Sequence, residues 1–265
     1  MKSGKTSLYE TLKHQILTLE LPPDSDLDEV SLSEKYGISR TPVREVLRQL
    51  AGEGYVDIRT NRGARVIPMN HETLRDFFLV APVIYEAVGR LAVQHFTPAQ
   101  MAQLKECQER FRSAVLRRDA ETMVVENNRF HAIIGEMAGS GYLKPSLNRL
   151  LIDHARIGHI FYRPTDTAGE AHLAKSCEHH DEFIRAIGAR DEAAMVRLTF
   201  EHWELSRGNM EMFIVPKRLR SEAWEEMGKE PGSGPAHGIK LRKTARSAPV
   251  ARRQRYSAKT LEKPR

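Results

Sequence analysis

The stretch from Ile38 to Val66, ISRTPVREVLRQLAGEGYVDIRTNRGARV, leaves little freedom in how the N-terminal part of this chain folds. Val43, Val46, Leu47 and Leu50 recur at i, i+3, i+4 and i+7, the apolar stripe of one helix side. Thr41-Pro42 sets the expected helix start, a capping hydroxyl followed by proline at the first helical position. Gly52 and Gly54 end it. Tyr55, Val56 and Ile58, then Ala64, Val66 and Ile67, read as two short strands around the turn Thr60-Asn61-Arg62-Gly63. Upstream, Leu8, Leu12, Ile16 and Leu19 mark a first helix of roughly 12 to 15 residues ending before Pro22-Pro23. A short second helix carries Leu32 and Tyr36 inward and closes at Gly37, whose tolerance of positive φ lets the chain reverse within a few residues. Three helices and a hairpin in this order make a winged helix-turn-helix, expected over residues 1–70.

Packing the apolar stripe inward leaves Ser39, Arg40, Thr41, Arg44 and Arg48 on the outward face near the N-terminus of the third helix. Free backbone donors at that end attract phosphate, and arginine matches a guanine edge in the major groove of double-stranded DNA. Arg62 in the hairpin is within reach of the minor groove or its phosphates. Taken singly, these arginines read equally well as a solvated surface shared with Glu45 and Glu53. The immediate succession of helix-turn-helix and wing favours DNA.

Beyond Pro68 the period is helical. Helices are expected at about 71–96, 98–118, 120–138, 142–163, 169–189 and 191–215. Thr97-Pro98 marks one start, Gly139-Ser140-Gly141 one break and Arg163-Pro164 one end, while Pro82 should kink or split the first of these helices. The expected fold is therefore mainly α: the winged domain, then an all-α antiparallel helical bundle over 71–218. Residues 219–265 hold 12 Lys and Arg against 5 Asp and Glu, so the whole surplus of the +6 chain sits there and residues 1–218 carry −1. Net charge thus says nothing about DNA. This segment, with its prolines and its run Arg252, Arg253, Arg255, reads as a basic, disordered tail.

Cys107 and Cys177 form neither a disulfide framework nor a thiolate zinc site. The longest uncharged run in the most apolar region, Phe77 to Tyr85, is too short for a bilayer crossing of roughly 20 residues. With Lys2, Lys5 and Lys13 and no apolar leader at the start, a cytoplasmic protein without membrane attachment is expected.

Asn127 and His131 lie one turn apart on a single helix face, and His180 and His202 fall on two later helices. Three imidazoles and an amide oxygen converging in a bundle would suit Zn, Ni or a similar divalent ion. Spacing alone leaves hydrogen-bonded core histidines as the other reading. Arg156, on the fourth helix of the bundle, is the candidate to hold an effector carboxylate, a salt-bridged helix face being its alternative. A metal-dependent hydrolase is the rival class, but no HExxH, G-x-S-x-G or P-loop accompanies the histidines.

The segment SRTPVREVL, from Ser39 to Leu47, followed by Leu50, Glu53, Gly54, Val56 and the wing residues Asn61, Arg62, Gly63 and Ala64, resembles the DNA-binding domain of the GntR family of bacterial regulators. The resemblance implies operator binding by a homodimer, acting as repressor or activator, with Arg40 and Arg44 on bases or phosphates and the wing tip near Arg62 and Gly63 in the minor groove. Val30 departs from relatives with an arginine at the start of the second helix. Residues from about 71 to 218 resemble the FCD ligand-binding domain of the FadR subfamily. Its metal site maps onto NNRFH (Asn127, His131), onto HHDEFIRAI with His180 favoured over His179 because Phe183 then falls three residues on, and onto His202. Asn127 stands where that family usually has Asp, and Pro82 where it often has an arginine. The resemblance implies a small organic acid as effector. His154, His159 and His172 match no motif and are expected to be structural.

Overall fold

The computed structural model describes residues 4–60 and 62–214, with side chains as far as Leu205. Asn61 and the expected basic tail lie outside the described residues. Among the described residues, nine helices and three short strands follow in the order α1 (Gly4–Leu17), β1 (Asp26–Leu27), α2 (Glu29–Tyr36), α3 (Arg40–Gly52), β2 (Val56–Arg59), β3 (Gly63–Val66), α4 (His71–His95), α5 (Pro98–Arg117), α6 (Ala120–Ala138), α7 (Leu143–Phe161), α8 (Thr167–Ala189) and α9 (Glu192–Ile214).

In the winged domain, Asp28 caps α2 by accepting from the Ser31 backbone N–H at 2.8 Å. The helix closes at Gly37, which holds φ +61 and donates its N–H to the Glu34 carbonyl. The expected start of α3 needs correcting. Ser39, extended at φ −68 and ψ 163, is the residue before the helix, so Arg40 and Thr41 are its first two residues and Pro42 its third. Proline costs nothing there, because the N–H groups of the first turn have no helical partner to lose. Val43, Val46, Leu47 and Leu50 are all buried, as are Leu8, Leu12 and Ile16 of α1, which packs against α3. Each such side chain contributes about 1.5–3 kcal/mol of burial.

The sheet is antiparallel in the order β1-β3-β2, with Ile58 opposite Ala64 and Arg59 opposite Gly63. β1 was not expected. Its two residues carry no alternation to read, and it is held to β3 by the Asp26↔Arg65 pairing and by an Asp26–Arg65 ion pair at 2.8 Å. Gly63 sits at φ +82, and a Cβ there would lie 2.1 Å from the Leu27 carbonyl oxygen. Close approach of β1 and the wing turn thus requires glycine.

The bundle helices follow their expected ranges to within about two residues. Thr97 and Gln100 form a reciprocal capping box on α5, and Asp119 and Asp166 cap α6 and α8. Pro82 does not split its helix, since α4 runs without a break from His71 to His95. Ala81, Tyr85, Val88 and Ala92 are buried along it. Packing on both sides of the proline outweighs one missing backbone bond. No described helix is long and apolar enough to cross a membrane.

Two groups of buried apolar side chains make the core. One surrounds Tyr85, Phe130, Phe183 and Trp203 inside the bundle. The other joins α1, α3 and the wing to Phe111, Met123, Ile152, Ala155 and Tyr162 of the bundle without interruption.

Candidate functional site

Ser39, Arg40, Thr41, Arg44, Arg48 and Arg62 are all exposed, and Gly63 is buried beneath the wing turn. Arg40, Arg44, Arg48, Arg59 and Arg62 line a single groove of about 410 Å³ between α3 and the wing. Arg59 is an addition to the expected set, visible in sequence only as the residue before the turn. Two carboxylates, Asp28 and Glu29, share the groove. Glu29 accepts from Arg44 Nε at 2.7 Å and Arg40 Nη2 at 3.1 Å. Burial pushes the Glu29 carboxyl up, but the two guanidinium hydrogen bonds outweigh it and hold the group below the usual carboxylate range. Glu45 and Glu53 do not occupy the arginines with hydrogen bonds: Glu45 binds Lys5 at 2.6 Å and Glu53 accepts from the Tyr9 hydroxyl at 2.6 Å. The groove thus brings together Arg40 and Arg44 near the N-terminus of α3, Arg48 further along it, and Arg59 and Arg62 of the wing, groups suited to phosphate and guanine edges.

The second site lies inside the bundle. Asn127 and His131 of α6, His180 of α8 and His202 of α9 are all buried, and His180 has no solvent exposure. One ring nitrogen from each of the three histidines lies within 4.8 Å of the other two. Four buried atoms here have no hydrogen-bond partner: Asn127 Oδ1, His131 Nε2, His180 Nε2 and His202 Nδ1. Asn127 stands one turn before His131 on the same face of α6, and His179 Nδ1 is also buried without a partner. Buried polar atoms are almost always paired, so orphaned imidazole nitrogens grouped this closely are an anomaly that a bound cation would remove. Burial, joined by neighbouring imidazoles, pushes the His131 and His202 rings well below their ordinary value, and His180 to about 3. Rings held neutral keep a lone pair for coordination. Phe130 stacks on His180 with centroids 4.0 Å apart and planes within 7°, fixing the ring plane. Three neutral imidazoles and an amide oxygen fit a tetrahedral or larger divalent coordination shell.

Three further side chains border the cluster. His154 of α7, which matched no motif, is buried with its ring 4.9 Å from that of His131, and its Nδ1 lies 2.7 Å from the Tyr85 hydroxyl. Burial pushes its ring down to about 4. No spacing rule links Tyr85 to His154, so only the packing of α4 on α7 reveals the pair. His179 is also buried, with its ring 5.7 Å from that of His202. Arg156 is a correction. Rather than facing the histidines, its Nη1 donates to the Ile67 carbonyl and to Asp153 Oδ1, both at 3.3 Å, which turns it toward the winged domain. The α7 face that carries it is buried against that domain, so the charge is spent on an internal pair.

An arginine-lined winged helix followed by a helical bundle with a buried histidine cluster defines a class, the DNA-binding regulators that carry a helical second domain. Residues 5–66 match the family model for bacterial regulatory proteins of the gntR family, and residues 83–205 match the FCD domain. The chain is therefore a transcriptional regulator of the GntR family with an FCD domain. Among curated relatives, the HTH-type transcriptional repressor RspR of Escherichia coli is 25% identical over 195 residues, which is 74% of this chain and 83% of that protein. The repressor GlaR of the same organism is 28% identical over 73% of this chain and 90% of its own length. Among solved structures, E. coli McbR/YncC superposes with a TM-score of 0.67 at 22% identity, covering 80% of this chain and all of that one. A GntR regulator from Rhodococcus sp. RHA1 gives 0.61 at 16% identity, covering 82% and 100%. At these identities the structures speak for the fold.

Proposed function

We propose that this regulator binds operator DNA as a homodimer through residues 1–70 and senses a small organic acid in residues 71–218, with a divalent metal, Zn or Ni, held by Asn127, His131, His180 and His202. The observation that carries the reading is the cluster of three buried, unpartnered imidazole nitrogens from three helices, with the equally unpartnered Asn127 Oδ1 one helical turn from His131. When bound, the cation supplies a Lewis-acidic centre with positions open to a carboxylate. His131, His180 and His202 bind through neutral rings, and Asn127 adds oxygen without charge. Tyr85 and His154, beside His131, offer hydrogen bonds to the remainder of the acid. In the winged domain, Arg40 and Arg44 exchange Glu29 for bases or phosphates, Ser39, Thr41 and Arg48 flank them, and Arg62 and Gly63 carry the wing tip to the minor groove. The names of RspR and GlaR favour repression. Leu79, Val80 and Val83 leave an exposed apolar stripe on α4, of the kind that subunit contacts cover. A cytoplasmic location goes with this role.

The test is metal content after dialysis against a mild chelator. Wild type should retain about one ion per chain by the four-ligand stoichiometry, His180→Ala none, and Asn127→Asp more than wild type, because a carboxylate holds a dication better than a neutral amide. His180→Ala should also lose the response of operator binding to added acids while still binding the operator. Equal metal in wild type and His180→Ala would refute the site.

A further inference from the structure

The orientation of His180 is imposed from outside the cluster. Gln108 of α5 is buried, and its amide nitrogen donates to the Cys177 carbonyl at 3.0 Å and to Asp181 Oδ1 at 3.2 Å. Asp181 is in turn fixed by Arg112 at 2.7 Å. Neither a carbonyl nor a carboxylate can donate, so the Gln108 amide has one permissible orientation. Its oxygen must then be the atom 3.0 Å from His180 Nδ1. An amide oxygen only accepts, which requires a proton on Nδ1. A neutral imidazole carries one N–H, so Nε2 holds the lone pair, and Nε2 is the atom left without a partner in the cluster.

We propose that Gln108 is the positioning residue of the cluster, fixing His180 as the Nδ1–H tautomer so that its Nε2 lone pair is presented to a divalent cation. The chain Arg112, Asp181, Gln108, His180 runs from the half-exposed surface to the buried ring, and outer-shell partners of this kind set both the tautomer and the plane of a ligating histidine. Its use in metal binding rests on the reading of the cluster given above, but the tautomer itself does not.

The test uses the full chain with isotope-labelled histidine, metal-free, in long-range proton–nitrogen correlation spectra, His180 being assigned from the signal lost in His180→Ala. Wild type should show His180 as Nδ1–H. Gln108→Met, close in volume but with only a weakly accepting sulfur in place of the amide oxygen, should shift the ring toward Nε2–H and lower zinc affinity about 10- to 100-fold. Cys107→Ala, a neighbouring buried change off the chain of contacts, should lower stability without moving the tautomer. A wild-type His180 protonated on Nε2 overturns the proposal, and this measurement decides even where Gln108→Met does not fold. Retention of both the Nδ1–H tautomer and wild-type zinc affinity in Gln108→Met overturns it as well. A wild type that is Nδ1–H at His180 yet binds no zinc supports the tautomer assignment and removes the metal reading instead.

Discussion

Asp153→Asn should be among the most destabilising isosteric changes in this protein. Asp153 and Arg156 are 4% and 0% exposed, and the pair lies on the α7 face turned to the winged domain. Their contact at 3.3 Å is long, and Arg156 Nε and Nη2 are buried without partners, so the intact pair adds little net stability. Removing the carboxylate is a different matter, because it strands a guanidinium in the interior. Breaking a buried pair this way costs about 3–5 kcal/mol. At about 2–4 °C per kcal/mol for a chain of this size, the melting point should fall by roughly 6–20 °C. Arg156→Met removes the charge itself. It leaves the Ile67 carbonyl without a donor, at about 1–3 kcal/mol, while Asp153 keeps its bond from Arg149 at 2.9 Å. Arg156→Met should therefore be milder than Asp153→Asn, and the double variant should recover most of the loss. Urea unfolding followed by far-UV circular dichroism measures all three. If Arg156→Met costs more than Asp153→Asn, or the double variant is no better than Asp153→Asn, the stranded-charge argument is wrong.

Arg44→Ala should cost about 1–3 kcal/mol of specific operator binding if Arg44 reads a base, or flatten the salt dependence by about one unit if it holds a phosphate; unchanged affinity and slope in a fluorescence titration would take it out of the interface. Gly63→Ala places a Cβ 2.1 Å from the Leu27 carbonyl oxygen at φ +82, so β1 must leave β3. A loss of about 1–3 kcal/mol from the strained backbone is expected, together with weaker operator binding, and a melting point equal to wild type would contradict it. His154 and His180 are held down to about 4 and about 3 by burial. As pH falls below the ordinary histidine value of about 6.5 the unfolded chain takes up protons that the folded one refuses. Stability of the metal-free protein is thus full above that pH and declines below it, by up to about 1.4 kcal/mol per pH unit for each ring. Urea midpoints measured between neutral and mildly acidic pH give the slope, and a flat profile would show that these rings are not buried neutral.

Most helix boundaries were legible because local chemistry sets them. Thr97 before Pro98 and Gly139 act within one turn of chain, and the structure uses each of them as a cap; Asp119 and Asp166 cap α6 and α8 by equally local hydrogen bonds that the sequence reading did not single out. Ser39 and Thr41 are both hydroxyl residues near Pro42, and local rules do not say which precedes the helix; the packing of α3 on α1 decides it. Convergence of His131, His180 and His202 depends on three helices returning to one level, which spacing permits but does not dictate. His154, Tyr85 and Gln108 were out of reach for the same reason, since each meets its partner across 69 or more residues of chain. Arg156 shows the opposite limit: a helix face can be read as inward, but not which of two interiors it enters.

Ile152, Ala155 and Tyr162 belong to the same buried group as Leu12, Val46 and Val66, so the reading head is not a cassette on a tether. Anyone transplanting this winged domain onto another sensor would cut through a hydrophobic core and leave Leu12 and its neighbours facing water, unless the new sensor repeated the α7 surface. Under the proposed sensing role the same continuity also sets the route for an effector: α7 lends Ile152 and Ala155 to one interior and His154 to the other, so a shift of α7 at the histidines would reach the winged domain through packed side chains.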